Sequence, residues 1–398
     1  MSIASTRMSA FSLFLISLLL HAFVGWTVAP DLAAVHPLLG MALWVLLLLS
    51  ALLLPMGLLG RRITRPVLSN LLTWLGLLSM GLGSSLFVLA LLREVALLTA
   101  QGLHGLWPSM LAVAPSASLR ADTALMVPVL GLVVTLWGFS NARRTAAVVR
   151  IDVPIANLPA TLQGFQIAQI SDIHLGPTIK GPYLQRIVAR VNSLDADLVA
   201  ITGDLVDGSV AELRNDVLPL AALTSTHGSF FVTGNHEYYS GAHGWIDALR
   251  DLGIRVLMNE HVLIHHQRCT QDPAQALMVV AGVTDFSAHH FDESHRSDPA
   301  LAMAGAPTDA VFKLLLAHQP RSAAAAMSAG FDLQLSGHTH GGQFWPWNHF
   351  VKFQQPFTAG LHRLQSLWVY TSRGTGYWGP PKRFGAPSEI TLLRLVRV

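Results

Sequence analysis

Four long apolar runs within the first 150 residues constrain this chain more than any other feature of its sequence. They cover residues 8–28, 38–59, 67–92 and 123–139. Each is close to the length that an α-helix needs to cross the hydrocarbon core of a bilayer, about 20 residues. A soluble helical bundle would instead need polar stripes at helical spacing, and stretches such as 44–54 have none. The sequence therefore predicts a membrane domain at residues 1–145 with about four transmembrane helices.

The arginines that flank these runs predict which side of the membrane the rest of the chain occupies. In a four-span arrangement seven arginines fall on one side, and Arg93 and Arg120 fall on the other. The seven are Arg7, Arg61, Arg62, Arg65, Arg143, Arg144 and Arg150. Because basic residues are retained on the cytoplasmic side, both ends of the chain are predicted to be cytoplasmic. No acidic residue or lysine lies within a run, which favours a simple anchor over an ion or proton path.

Two features of this half leave its topology open. Residues 95–114 are apolar but are interrupted by Gln101, His104 and Pro108, so they predict an outer loop or an interfacial helix. As a fifth span, they would place the C-terminal half outside the cytoplasm. The first run also resembles a cleavable signal peptide, although the small-residue site at 32–34 is a poor match.

The charged residues divide the chain at about residue 150. Residues 1–150 carry nine arginines, no lysine and three acids, whereas residues 151–398 carry 17 bases and 20 acids. The second part therefore lacks the basic surplus that neutralises a nucleic-acid backbone, and no nucleic-acid partner is expected. Cys269 is the only cysteine, so the chain has no intrachain disulfide and no cysteine zinc cluster.

Beyond residue 150, short apolar runs alternate with helical stretches, which is the pattern of an α/β domain. Strands are predicted at 165–171, 198–202, 230–233, 278–283, 313–316 and 333–335, and a helix is predicted at 183–194. Polar residues follow each of these strands. Because open α/β sheets bind ligands at the carboxyl ends of their strands, these residues are predicted to form one site. The second domain is predicted to span residues 155–398.

The residues at these strand ends are of types that bind divalent metals. In chain order the motifs are Asp172-x-His174, Gly203-Asp204-x-x-Asp207, Gly234-Asn235-His236-Glu237, Ala317-His318 and Gly337-His338-x-His340. Mixed carboxylate and imidazole ligands suit Mn, Fe or Zn. Seven of the motif residues acting as ligands would exceed the needs of one ion, whereas a bridging Asp204 would give each of two ions four protein ligands. Two ions about 3.5 to 4 Å apart can clamp the attacking and leaving oxygens of a phosphoryl displacement.

This order of motifs resembles the calcineurin-like metallophosphoesterase superfamily, and the resemblance covers essentially all of residues 160–398. It implies an α/β protein in which a β-sandwich flanked by helices follows the transmembrane helices. It also implies a metal-dependent hydrolase of phosphoester or pyrophosphate bonds. The residues that would hold the first metal ion are Asp172, His174 and His340. Those that would hold the second are Asn235, His318 and His338, with Asp204 bridging both ions.

The third motif supplies the predicted catalytic residue. His236 matches the superfamily's histidine that is not a ligand and faces the scissile phosphate. The resemblance implies that it donates a proton to the leaving oxygen or stabilises the phosphoryl group. Glu237 stands where the superfamily more often has Asp, and it is expected to orient His236 all the same. Asp207 is a candidate to orient a ligand histidine.

Residues 337–343 and 370–376 resemble the membrane-associated bacterial branch of the superfamily. This branch includes YkuE-type phosphoesterases and UDP-2,3-diacylglucosamine pyrophosphatases. Together with the apolar runs, it implies an enzyme anchored in a bacterial cell membrane that acts on a lipid or nucleotide-lipid substrate. The arginine distribution places the catalytic domain of such an enzyme in the cytoplasm. The alternatives are the same fold acting on soluble phosphodiesters and a non-catalytic metal-binding membrane sensor. Two divalent metal ions are the expected cofactors, with Mn favoured and Fe, Zn or Mg as alternatives.

Two further features each have two interpretations. Six aromatic residues between positions 344 and 357 are suited to receive acyl chains or rest on a bilayer, and equally to pack in a core. Arg373, followed by glycines at 374, 376 and 379, is suited to approach a substrate phosphate or to shape a turn.

Overall fold

The structure is a computed structural model that describes residues 9–106, 116–266 and 277–398. The chain divides into two compact units. The first comprises Met1–Ser140 together with Gly379–Lys382, and the second comprises Asn141–Trp378 together with Arg383–Val398.

The described residues of the first unit up to Ser140 are mainly helical. Its helices are α1 (Ala10–Val35), α2 (Pro37–Leu53), α3 (Met56–Leu59), α4 (Pro66–Leu106) and α5 (Ala117–Arg143). The last three residues of α5 belong to the second unit. Ser9 caps α1 by accepting the N–H of Ser12, and Pro37 begins α2 where its missing N–H costs nothing. Four stretches in the described residues are long and apolar enough to span a bilayer. They match the four apolar runs of the sequence.

The third of these stretches is longer than predicted. Residues 95–106 continue α4 as helix, so of the two alternatives predicted here, an outer loop or an interfacial helix, the loop is wrong for this part. Residues 107–114 lie outside the described residues. Gln101 is exposed and His104 is half-buried. Because a helix satisfies its own backbone hydrogen bonds, such isolated polar side chains on its surface do not end it.

The greater helix length also brings charged residues onto the helices. Asp31 lies on α1, and Arg93 and Glu94 lie on α4, so the expectation of spans without acidic residues is corrected. The Arg93 side chain is almost fully buried and forms ion pairs with both acids. Its guanidinium also donates to the carbonyl of Thr27 at 2.8 Å and to Oγ1 of Thr123 at 3.1 Å. Arg93 therefore connects α1, α4 and α5.

The second unit contains two six-stranded sheets. The first has the order β1-β12-β2-β3-β4-β5, and the second has the order β10-β11-β9-β8-β7-β6. The strands of the first sheet are β1 (Ala147–Ile155), β2 (Gln166–Ile170), β3 (Leu198–Ile201), β4 (Ser229–Phe231), β5 (Arg255–Val256) and β12 (Glu389–Arg397). Those of the second are β6 (Glu260–His265), β7 (Leu277–Gly282), β8 (Phe312–Leu316), β9 (Leu333–Ser336), β10 (Gly360–Leu364) and β11 (Leu367–Thr371).

Successive side chains of a strand point to opposite faces of its sheet, and this alternation explains how the two sheets pack. Leu198 and Ala200 of β3 join a core that also contains Val280 of β7 and Leu314 of β8, so the two sheets pack face to face. Val199, between them, joins the core on the opposite face of the first sheet.

Helices cover the outer faces of the sandwich. They are α6 (Gly181–Asn192), α7 (Val210–Val217), α8 (Asn235–Ser240), α9 (Ala242–Asp251), α10 (Pro299–Met303) and α11 (Ala323–Ser328). Leu184, Ile187 and Val191 share one face of α6 and pack against the first sheet. Ala302 of α10 and Ala326 of α11 pack against the second sheet. The predicted β-sandwich flanked by helices is confirmed.

Candidate active site

The predicted site residues lie at the carboxyl ends of parallel strands. β2, β3 and β4 are parallel neighbours in the first sheet, and β8 and β9 are parallel neighbours in the second. The first three strands lead to Asp172, Asp204 and Asn235, and the other two lead to His318 and His338. Because parallel strands end at the same edge of a sheet, one edge of the sandwich collects all of these side chains.

The first group of predicted ligands is Asp172, His174 and His340. One potential ligand atom from each lies within 4.8 Å of the others. The Nε2 atoms of His174 and His340 are 3.0 Å apart, and Nε2 of His340 is 3.5 Å from Oδ1 of Asp172. All three side chains are buried or nearly so. The arrangement presents one carboxylate and two imidazoles to a common point.

The second group is Asp204, His318 and His338, again with ligand atoms within 4.8 Å of one another. Nε2 of His318 lies 3.2 Å from Oδ2 of Asp204 and 3.2 Å from Nδ1 of His338. On its other side, the His318 ring donates from Nδ1 to the carbonyl of Thr202 at 2.7 Å. That bond leaves Nε2 without a proton in the neutral ring, which is the form that binds a metal.

Two further contacts fit a pair of ions. Oδ2 of Asp204 also lies 3.8 Å from Nε2 of His174, so this oxygen faces both groups. Oδ1 of Asn235 is buried and has no hydrogen-bond partner among the described residues. A buried amide oxygen without a partner is costly, and a metal ion would satisfy it. The donor set therefore fits two divalent cations.

The backbone at these residues adopts an unusual conformation. Asp172, His174, Asp204, His338 and His340 all have positive φ, between 51° and 71°. They are half of the ten residues other than glycine that do so in the described chain. Such conformations are unfavourable for side chains with a Cβ and tend to cluster where a site requires them.

Two motif glycines permit the close packing of this edge. A Cβ on Gly234 would lie 2.2 Å from Oδ1 of Asp204, and a Cβ on Gly337 would lie 2.2 Å from Oδ2 of Asp172. Any larger residue at either position would displace a predicted ligand. The glycines of the third and fifth motifs are therefore explained by close approach.

Asp207 contacts two histidines with one oxygen. Its Oδ1 lies 3.1 Å from Nδ1 of His174 and 2.5 Å from Nδ1 of His236. The contact predicted between Asp207 and a ligand histidine is therefore present. The ring of His236 is only partly buried, with 15% of its side chain exposed. Asp207 thus orients one predicted ligand and, at the same time, the predicted catalytic residue.

Sequence comparisons agree with this geometry. The model of the calcineurin-like phosphoesterase family matches residues 165–342. A metallophosphoesterase of Campylobacter jejuni is 35% identical over 280 residues, which are 70% of this chain and 70% of that protein. The chain belongs to the calcineurin-like metallophosphoesterase family.

Two other relatives of this metallophosphoesterase belong to the types that the sequence motifs resemble. A transmembrane protein with metallophosphoesterase domain from Danio rerio is 39% identical over 272 residues, or 66% of this chain. The match spans only 61% of that relative's length. The metallophosphoesterase YkuE of Bacillus subtilis is 28% identical over 248 residues, which are 60% of this chain and 81% of YkuE. The predicted resemblance to YkuE-type and membrane-associated metallophosphoesterases is confirmed.

The role expected for Glu237 in this metallophosphoesterase is corrected. Its two carboxylate oxygens accept the backbone N–H groups of four residues, and Asp207 contacts the ring of His236 instead. The four donors are Gly234 at 2.7 Å, Asp204 at 2.9 Å, Leu205 at 2.8 Å and Val206 at 3.3 Å. Glu237 therefore fixes the loop that carries Asp204.

The electrostatic environment differs among the histidines. Burial would lower the pKa of His236, but the carboxylates of Asp204 and Asp207 outweigh it and raise the pKa to about 9. Burial and the neighbouring His318 lower the pKa of His338 to about 3. Burial and the nearby Arg383 likewise hold the pKa of His340 well below its usual value. His338 and His340 are therefore neutral near pH 7, as metal ligands must be.

Two arginines lie close to the fifth motif. Arg373, one of the predicted candidates for phosphate contact, pairs with the buried Glu389 at 3.0 Å and keeps 38% of its side chain exposed. Arg383 is completely buried, and its guanidinium lies 2.9 Å from Nδ1 of His340 and donates to the carbonyls of His340 and Arg373 at 2.8 Å. Sequence reasoning missed Arg383, because an arginine outside the motifs carries no signal of burial.

Two aromatic rings, those of Tyr239 and Trp378, lie against the ring of His236. The ring centroid of Tyr239 is 5.2 Å from that of His236, and the centroid of Trp378 is 5.8 Å away. Both side chains are exposed, as are Phe350 and Phe353 from the predicted aromatic stretch. Of the six aromatic residues in that stretch, only Phe344 is buried. Core packing therefore accounts for only part of the aromatic stretch.

Proposed function

We propose that this metallophosphoesterase hydrolyses a phosphodiester or pyrophosphate bond at a centre of two divalent metal ions while anchored in a membrane. The observation that carries the proposal is the convergence of two ligand groups on Asp204, whose Oδ2 faces His318 at 3.2 Å and His174 at 3.8 Å. A single structural metal would not require ligand groups on both sides of one carboxylate.

These contacts support the following ligand assignment. One ion would be held by Asp172, His174 and His340, the other by Asn235, His318 and His338, and Asp204 would serve both. Mn²⁺ is the favoured metal because mixed oxygen and imidazole ligands suit it, with Fe, Zn and Mg as the alternatives. When bound, two such ions activate a water molecule and neutralise the charge that develops on the phosphoryl oxygens.

His236 acts on the leaving group. Asp207 accepts the proton of Nδ1, which directs Nε2 of His236 away from that carboxylate. A protonated His236 donates from Nε2 to the leaving oxygen, or stabilises the phosphoryl group as a hydrogen-bond donor. The exposed fraction of this ring gives it access to a substrate.

The substrate we propose is a phosphorylated lipid or nucleotide-lipid. Tyr239 and Trp378 offer apolar surface within about 6 Å of the catalytic histidine, against which acyl chains can pack. The membrane anchor at residues 1–145 and the catalytic domain at residues 155–398 suit such a substrate. The excess of arginine on one side of the four spans favours a catalytic domain on the cytoplasmic face of a bacterial cell membrane.

The test is hydrolysis of bis(p-nitrophenyl) phosphate by the full chain in detergent micelles. The protein is stripped with a chelator, and Mn²⁺ is then added back to wild type, Asp204→Asn and His236→Ala, with the exposed His290→Ala as the control. We expect turnover that needs metal, that falls by roughly a hundredfold or more in the first two variants, and that persists in the control. A folded, metal-loaded wild type without turnover would favour the membrane sensor.

A second assay separates the lipid substrate from soluble diesters. UDP-diacylglucosamine in mixed micelles is compared with UDP-glucosamine, which has the same pyrophosphate and no acyl chains. The proposal expects a higher kcat/KM for the acylated compound and a loss of that preference in Trp378→Ala. Equal values for the two compounds would favour a soluble substrate.

A further inference from the structure

We propose that His243, Asp292 and His295 bind one further divalent transition-metal ion, for which Zn²⁺ is the probe, at a site separate from the candidate active site. One potential ligand atom from each of these residues lies within 4.8 Å of the others. None of the three belongs to the strand-end motifs. We call this group the His-Asp-His site.

The distances within the His-Asp-His site suit a zinc ion. Nε2 of His243 lies 3.0 Å from Oδ2 of Asp292, and Nε2 of His295 lies 3.9 Å from the same oxygen. In a tetrahedral zinc site, bonds of about 2.0 to 2.1 Å place neighbouring ligand atoms roughly 3.4 Å apart. The observed separations lie on either side of that value, so small side-chain rotations suffice. Three protein ligands leave one position for water.

Surrounding hydrogen bonds hold the two less exposed ligands in place. Oδ1 of Asp292 accepts the N–H of Ser294 at 3.0 Å and its hydroxyl at 2.6 Å, which leaves Oδ2 directed at the histidines. Nδ1 of His295 is 2.9 Å from the hydroxyl of Tyr238, and the His295 carbonyl accepts the hydroxyl of Thr284 at 2.7 Å. Outer partners of this kind orient metal ligands and select the imidazole tautomer.

The site is also accessible to an ion from solvent. The side chain of His243 is 72% exposed, whereas that of His295 is 15% exposed. A cavity of about 280 Å³ adjoins the site, and Asp247 and Asn259 are among the residues that line it. An ion can therefore enter from the His243 side, with side-chain oxygens nearby to receive its water ligands.

Tyr238 connects this site to the proposed catalytic centre. It lies on α8, which begins at Asn235 and also carries His236. Through the contact between Tyr238 and His295, an ion in the His-Asp-His site would brace the helix that presents both residues. Tyr238→Phe keeps the ring and removes the hydroxyl, so we expect it to weaken zinc binding by about tenfold.

The test counts metal ions in the full chain in detergent. Stripped protein is saturated with Mn²⁺ and then titrated with Zn²⁺, and the bound metals are measured by mass spectrometry after gel filtration. Wild type is compared with His243→Ala and His295→Ala, and with His290→Ala as the control. Zinc that replaces manganese at the predicted active-site ligands is common to all four proteins, so the difference reports the His-Asp-His site.

We expect wild type and the control to bind one more Zn²⁺ per chain than the two variants, or to bind it at least about tenfold more tightly. Zinc should also raise the Tm of manganese-loaded wild type and have less effect on the Tm of His243→Ala, because a ligand that binds the native state stabilises it. Equal zinc content and equal Tm shifts in wild type and His243→Ala would overturn the proposal. His243 is exposed, so its alanine variant is expected to fold.

Discussion

At the residue scale, Asp207 joins a predicted ligand histidine to the predicted catalytic histidine. Its Oδ1 reaches both His174 and His236. Asp207→Asn keeps the shape but offers only one accepting oxygen and no charge, so we expect turnover to fall by roughly ten- to a hundredfold while Tm changes little. The measurement is kcat and KM with bis(p-nitrophenyl) phosphate beside a thermal unfolding curve. Unchanged kcat would show that neither histidine needs this carboxylate.

Glu237 is predicted to act on stability through its four backbone N–H partners. Glu237→Gln replaces one accepting oxygen of a fully buried side chain by an NH₂ group, so we expect the free energy of unfolding to fall by about 1 to 3 kcal/mol. Glu212→Gln is the matched control, because Glu212 also accepts a backbone N–H, from Ser209, but at an exposed position. Chemical denaturation of both variants measures the free energy of unfolding, and an equal loss of it in the two variants would contradict the prediction for Glu237.

Some residue-level features were accessible from the sequence and others were not. The order and types of the motif residues predicted which side chains converge, because parallel strands end at one edge. The positive φ of His174 and His340 has no sequence signal, since only tertiary contacts hold a histidine there. The sequence also did not show that Asp207 contacts the ring of His236 while Glu237 binds the backbone, because adjacency in sequence suggested that Glu237 contacts His236.

At the scale of elements, six strands were predicted to within one or two residues, namely β2, β3, β4, β7, β8 and β9. The edge strands were missed, and so were β11 and β12, which lie inside their sheets. β3 and β7 are continuous apolar runs, which is the signature of strands buried on both faces. β1 and β10 are half-exposed, so they lack this signature and depend on their pairing with β12 and β11. Long-range pairing is not readable from a local pattern.

The Arg93 ion pairs are predicted to hold α1, α4 and α5 together. Arg93→Met would leave Asp31 without its cation, and we expect the unit to lose about 3 kcal/mol of stability. The control is Arg65→Met, because Arg65 is exposed. Thermal unfolding in detergent compares the two variants. A drop in Tm no larger for Arg93→Met than for Arg65→Met would show that this buried pair contributes nothing.

At the scale of the whole molecule, the arginine distribution predicts that the C-terminal end is cytoplasmic. A fluorescent protein fused after Val398 should fluoresce in bacteria, and an alkaline phosphatase fused at the same position should be inactive, because each reports the compartment in which it folds. An active alkaline phosphatase would place this end outside the cytoplasm. It would then favour five spans over the four that length and composition indicate.

The central claim is that one edge of the sandwich holds two metal ions that share Asp204. The direct measurement is a crystal structure of the Mn²⁺-loaded chain with anomalous scattering collected at the manganese edge. We predict two anomalous peaks about 3.5 to 4 Å apart, with Asp204 between them and Asn235 beside the second. One peak, or none, at these strand ends in protein that has bound manganese would contradict the account.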